Sequence, residues 1–128
     1  FRTYRVRGDA VVLDTRIQTV AISVNQAIPC GLIVNELVSN ALKHAFPDGR
    51  PGRIIVTLGC DSPGIYDLSV CDDGRGLPRG FDTANAKTTG LTIVNALVHQ
   101  LDADMNVEPG NPTCFHVRFR QHRRGGGA

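Results

Sequence analysis

Between residues 29 and 46 the apolar positions fall on one side of a helix. Leu32, Ile33, Leu37, Val38, Ala41, Leu42 and Ala45 recur with a period near 3.6, and Pro29 suits the first turn of such a helix. The stretch FPDGRPG (46–52) ends it with prolines and glycines. Elsewhere the pattern alternates. VVLDT (11–15) and VAISV (20–24) read as short strands. RIIVTLGC (53–60) and IYDLSVC (65–71) read as two more, joined at DSPG into an antiparallel hairpin. Residues 72–89 have almost no apolar period and form a long loop. GLTIVNALVHQL (90–101) is a second amphipathic helix, and 104–108 and 113–120 are closing strands. Helices do not alternate one-for-one with strands. The expected fold is α+β, a two-layer sandwich with helices on one face of a mixed, mostly antiparallel sheet.

Composition narrows the picture without changing it. The chain has 128 residues, 41% of them apolar, enough for one domain with a core. Residues 1–120 are expected to form it, with 121–128 (QHRRGGGA) a disordered tail. A net charge of +2 does not point to nucleic acid. Arg118, Arg120, Arg123 and Arg124 crowd the C-terminus and read as a solvated cluster. Cys30, Cys60, Cys71 and Cys114 have no CxxC spacing, which argues against zinc. Four reduced cysteines in a cytoplasmic protein are expected. No signal peptide is visible, and both ends, Phe1 and GGGA, look like cuts from a longer protein. The span from Ile17 to Asn35 carries no charge, but Gln18, Asn25, Gln26 and Pro29 argue against a membrane helix.

Three polar groupings carry candidate chemistry. On the first helix, Glu36, Asn40, Lys43 and His44 stand at i, i+4, i+7 and i+8, one stripe opposite the apolar side. An ordinary solvated face would look similar. Asparagine is a weak helix former, however, and its amide oxygen beside a carboxylate suits a hard cation such as Mg²⁺. A lysine one turn on suits phosphate. The second grouping, Asp72-Asp73-Gly74-Arg75-Gly76-Leu77-Pro78, follows a strand. It reads as a turn, or as backbone that a ligand approaches closely beside an aspartate able to accept from an exocyclic amine. The third, Thr88-Thr89-Gly90-Leu91-Thr92, opens a helix whose free N–H groups attract anions, or is a plain N-cap. Neither a P-loop nor a dinucleotide-binding glycine motif is present.

In this order the three segments resemble the ATP-binding catalytic domain of sensor histidine kinases, within the superfamily of gyrase-, chaperone- and histidine-kinase-type ATPases. NELVSNALKHAF (35–46) looks like the N box, CDDGRGLP (71–78) like the G1 box and TTGLTIV (88–94) like the G2 box. AIPCGLIVNELVSNALKHAFPDGRPG (27–52) resembles the HisKA_2/HWE-like branch. The resemblance covers about residues 11–120 and implies a Bergerat-type fold binding ATP with Mg²⁺.

It also implies roles residue by residue. Asn40 matches the asparagine that holds Mg²⁺ between the phosphates, and Glu36 stands where related ATPases carry a water-activating glutamate; whether it orients the metal or acts as a base stays open. Lys43 and His44 match positions facing the phosphates. Asp72 matches the aspartate that binds the adenine amine, and Gly74, Gly76 and Leu77 lie beside the base. Residues 79–89 match the ATP lid, in which Lys87 could reach the γ-phosphate and Thr89 borders the phosphates. Gly90 and Leu91 match the G2 turn, and Thr113 the closing strand, with Pro112 where glycine is usual.

The implied activity is that of a protein histidine kinase in two-component signalling. It would pass the γ-phosphate to a histidine on a separate dimerisation domain, with a response regulator downstream and no nucleic-acid or membrane contact by this domain. None of the four histidines here sits in an acceptor motif. An ATPase, or a serine kinase of the anti-sigma-factor type, keeps the same fold and is the alternative, and a nucleotide sensor is a third.

Overall fold

The computed structural model describes residues 2–6, 11–18, 21–46, 51–74 and 89–121. Among them six strands form one sheet: β1 (Arg2–Val6), β2 (Val11–Ile17), β3 (Gly52–Ser62), β4 (Ile65–Asp72), β5 (Asp104–Glu108) and β6 (Thr113–Arg120). Their order is β1-β2-β3-β4-β6-β5. All neighbouring pairs are antiparallel except β2–β3, which are parallel because helix α1 (Val24–Asn40) carries the chain between them. Helix α2 (Thr89–Gln100) makes the second connection across the sheet, from β4 to β5.

The sheet's two faces separate by strand parity. Ile54, Val56 and Leu58 on β3 register with Asp72, Val70 and Leu68 on β4, and these with Thr113, Phe115 and Val117 on β6. This face joins Ile33, Leu37, Val94, Leu97 and Val98 of the helices in one buried cluster. Both helices therefore cover the same side, as the sequence pattern implies. The other face is polar. There the His116 ring lies between Asp67 (3.2 Å) and Glu108 (2.7 Å), and the Arg53 guanidinium pairs with the fully buried Asp14 carboxylate, which also accepts from Thr3 Oγ1 at 2.8 Å.

Three sequence expectations are corrected. VAISV is not a strand at the described positions 21–24. Ser23 is the helix N-cap, its carbonyl accepting from Gln26 N and Ala27 N, so Val24 already begins α1. An alternating run this short fits the first turn of a helix as well as a strand, and the local bonds decide. Pro29 consequently lies inside α1 rather than in its first turn. It is fully buried, so packing offsets a missing interior hydrogen bond that by itself costs about 3 kcal/mol. β1 was not anticipated at all; RTYRV is short and finds its partner only through β2.

The cysteine expectation changes as well. Cys71 and Cys114 are register partners on β4 and β6 and form a disulfide across 43 residues of sequence. Their spacing gave no hint, because only the strand pairing brings them together. Cys30 and Cys60 remain thiols; burial pushes Cys30 up to about 11, which keeps it unreactive. Peptide mapping of the non-reduced protein is expected to recover Cys71 linked to Cys114 and alkylated Cys30 and Cys60; alkylation of all four without prior reduction contradicts this pairing.

Candidate active site

Three glycines let the C-terminal end of α1 approach its neighbours closely. After Asn40 the helix widens into a π-helical turn, Ala41–Ala45, and ends at Phe46. Phe46 is fully buried and lies across the start of β3: a methyl group built on Gly52 would sit 2.1 Å from its ring. Ala45 sits against Gly74, just past β4, where an added methyl would lie 2.4 Å from the Ala45 carbonyl oxygen. Asn40 sits against Gly90 in the first turn of α2, where an added methyl would lie 2.6 Å from Asn40 Oδ1. The helix end thus meets the strand end before the long loop and the helix start after it. The three segments singled out in the sequence converge on one place.

The π turn alters the stripe drawn from sequence. A turn closed i→i+5 advances each residue by less than the 100° of an α-helix. Glu36 and Asn40 keep their helical relation, both half-buried, but Lys43 and His44 lie in the widened turn and are exposed. Asn35 is exposed, off the line of Asn40. π turns are over-represented at functional sites, where they reposition side chains.

The two adjacent aspartates have different environments. Asp72 shares parity with Leu68 and Val70 and faces the helix layer, 7% exposed. Its Oδ1 accepts from Gly74 N at 3.0 Å. Burial raises its carboxyl above the ordinary 3.8; the Gly74 N–H opposes that rise and the Asp73 charge adds to it. Asp73 is exposed and works on the backbone instead. Its Oδ1 accepts from Arg53 N at 2.7 Å and its own N–H donates to the Arg53 carbonyl at 3.2 Å, which extends the β3–β4 ladder past Asp72. Sequence reasoning missed this clamp, and also the parts of Ala45, Phe46 and Gly52. Strand parity was the available signal for telling Asp72 from Asp73.

Thr113 is Asp72's register partner on β6, 2% exposed, its hydroxyl donating to the Gly110 carbonyl at 2.7 Å. Leu91 turns its side chain into the core at 5% exposure, so any ligand contact there falls to its backbone. Thr89 is the first residue of α2. Gly76, Leu77 and Lys87, with most of the expected lid, lie outside the described residues. Among the described residues no three His, Cys, Asp or Glu side chains cluster as a metal cage. Asn40 and Glu36 alone supply too few ligands for calcium or zinc. They fit Mg²⁺, which retains waters and shares its coordination with phosphates.

Residues 25–123 match the family model of histidine kinase-, DNA gyrase B- and HSP90-like ATPases, and the chain belongs to that family. It is 37% identical over 101 residues to Blue-light-activated histidine kinase 2 of Erythrobacter litoralis, an alignment covering 79% of this chain and 29% of that protein. It is 33% identical to the sensor histidine kinase PdtaS of Mycolicibacterium smegmatis, covering 99% of this chain and 27% of that one. The chain therefore spans under a third of the length of these relatives. The histidine kinase domain of a blue-light-activated kinase from Erythrobacter litoralis superposes with a TM-score of 0.80 at 34% identity, over 90% of this chain and 53% of that one. The fold is that of histidine kinase catalytic domains, and ATP is the nucleotide of this family.

Two outcomes follow from the glycine contacts. Gly90→Ala displaces only the mobile end of the Asn40 side chain, so Mg²⁺-dependent ATP affinity is expected to fall about tenfold or more with melting temperature held. Gly74→Ala meets backbone, and is expected to lower stability by about 1–3 kcal/mol in denaturant titration. Equal loss of stability in both variants would contradict the distinction.

Asp72 gives a pH test. A carboxyl whose pKa is raised by folding contributes stability that is present at low pH and lost as pH rises through the raised value. Asp72→Asn keeps an acceptor for Gly74 N–H and is expected to melt no lower than wild type at neutral pH while losing ATP affinity. Wild-type ATP affinity is expected to weaken on acidification at a pH above 3.8, as the carboxylate expected to accept from the adenine amine is protonated. A calorimetric titration in which Asp72→Asn binds ATP as wild type does would remove the adenine role.

Proposed function

We propose that this chain binds Mg·ATP and transfers the γ-phosphate to a histidine on a separate phosphoacceptor segment, as the catalytic part of a two-component sensor kinase. The observation that carries the reading is the seating of the Asn40 amide against Gly90 at the start of α2, on the same helix end that packs against Gly74 beside Asp72. One end of the site then offers an acceptor for an adenine amine, and the other an amide oxygen beside a helix N-terminus.

The roles follow from the side chains. Asp72 Oδ2 accepts from the exocyclic amine and disfavours guanine, which presents a carbonyl there. The N–H groups opening α2 receive phosphate oxygens. Asn40, with Glu36 one turn before it, would hold Mg²⁺, which supplies neutralisation of the triphosphate charge when bound. Lys43 and His44, exposed beyond Asn40, would meet the terminal phosphate as the acceptor arrives. Catalysis is then positioning plus charge neutralisation, and the acceptor imidazole supplies the nucleophile.

A second reading rests on Glu36. A half-buried carboxylate one turn before the metal-binding amide is placed to activate water or a hydroxyl, as in an ATPase or serine kinase.

Labelled ATP distinguishes the two readings. With the phosphoacceptor segment of the parent kinase present, acid-labile, base-stable label on that segment is the expected product; free phosphate formed equally without it supports the second reading. Asn40→Ala is expected to lose Mg²⁺-dependent ATP binding while unfolding at the wild-type denaturant midpoint. Glu36→Gln is expected to keep ATP binding, and a fall in phosphate release without a fall in histidine phosphorylation would assign Glu36 to hydrolysis.

A further inference from the structure

The outer face of α1 changes character halfway along. Taken at about 100° per residue, Val24, Ile28 and Leu32 line its solvent side, with Gly31 beside them. Val24 is 70% exposed, Ile28 59% and Leu32 49%. Ala27 is exposed in the same region, and Ile17, on the helix side of the sheet just before α1, is 56% exposed. No charged residue stands between Arg16 and Glu36. Further along the same side come Asn35, Ser39 and Lys43, leading to the Asn40 end. A solvated helix face usually carries Glu, Lys and Arg throughout. Half of this one does not.

Gly31 sharpens the point. A glycine inside a helix is disfavoured relative to alanine. The three glycines at the candidate site have packing reasons; Gly31 has none among the described residues, where a methyl group built on it meets nothing within 4 Å. Absence of a side chain at an exposed helical position, flanked by exposed Val, Ile and Leu, suits close approach by another helix. A membrane surface fits poorly. A helix lying in a lipid interface carries Lys and Arg along its polar face, and this segment has none. Nucleic acid is disfavoured on the same ground.

We propose that the Val24–Leu32 face of α1 is the docking surface for an amphipathic helix of the histidine-bearing phosphoacceptor segment, with Gly31 as the point of closest approach. The proposal rests on the kinase reading for the identity of the partner. Two observations favour that occupant over a second copy of this chain. The relatives are more than three times as long as their match to it, so the kinase reading requires an acceptor from elsewhere in the polypeptide. The apolar half of the face also leads along one helix into Asn35, Ser39 and Lys43, so a helix lying on it is directed toward the phosphate end of the site. Self-association of two catalytic chains would bury the face without serving transfer.

The test uses the intact parent kinase with a photo-crosslinking benzoylphenylalanine at position 28. Irradiation is expected to give a crosslink that mass spectrometry maps to the histidine-bearing helix. A crosslink to α1 of another catalytic chain, or no protein crosslink, overturns the proposal. A second variant reads function. Gly31→Gln is expected to raise or hold the melting temperature and leave ATP affinity unchanged, yet to slow autophosphorylation about tenfold or more, the loss typical of removing one well-packed contact. Unchanged autophosphorylation in Gly31→Gln overturns it too. If the crosslink maps to the histidine helix but wild type phosphorylates nothing, the docking surface stands and the kinase reading fails.

Discussion

The structure depends on bringing one helix end into contact with three other segments at once. Asn40, Ala45 and Phe46 fall within seven consecutive positions, yet each lies on a different neighbour: the start of α2, the glycine two residues after Asp72, and the start of β3. In each case the neighbour is a glycine whose missing side chain is the space that is used. A continuous α-helix would not turn three such residues to three such places. The π turn supplies the change of phase, and Phe46, which leaves helical backbone geometry with its ring fully buried, fixes the end of it. Packing and site geometry are the same contacts here, which explains why weak helix formers such as Ser39 and Asn40 stand in a segment that must remain helical.

Burial at this junction also sets the electrostatics. Asp72 faces the helix layer because strand parity gives it no alternative, and a carboxylate there is costly to ionise. The cost is limited by the Gly74 N–H, which the turn after β4 presents to it, and by Asp73, which keeps the ladder closed beyond it. One aspartate is thus held by the backbone as an acceptor while its neighbour holds the backbone. The disulfide between Cys71 and Cys114 stands one residue before Asp72 and one after Thr113, on the opposite face of the sheet. It ties the two strands that carry Asp72 and Thr113, independently of the core on the other face.

Much of this was legible in the sequence, for identifiable reasons. The hairpin, the two closing strands, the second helix and the α+β layering follow from periodicity, since each has a long enough run for period 2 or 3.6 to be unambiguous. VAISV failed because five alternating residues cannot separate a strand from a helix start, and the deciding bonds are to the Ser23 carbonyl. β1 and the cystine were hidden because both exist only through pairing with distant segments. At the candidate site, Asn40 and Asp72 were singled out through helical phase and motif. Asp73, Ala45, Phe46 and Gly52 were not, because their work is in contacts between segments, for which a single sequence has no period.

The same reasoning separates the two kinds of odd residue in α1. Pro29 breaks the rules of a helix on its buried side, and the core around it accounts for that: the residue is fully buried among Cys30, Ile33 and their neighbours. Gly31 breaks them on the open side, two positions later, where nothing among the described residues gives a reason. Asn40 breaks them at the end, where Gly90 does. A helix can carry several unfavourable residues when tertiary contacts outweigh local propensity, and here two of the three contacts are internal. The third position faces outward on a surface of Val, Ile and Leu without charge. A local preference overridden with no compensation among the described residues points to compensation from outside, and the exposed Val, Ile and Leu around Gly31 suit the apolar side of an amphipathic helix.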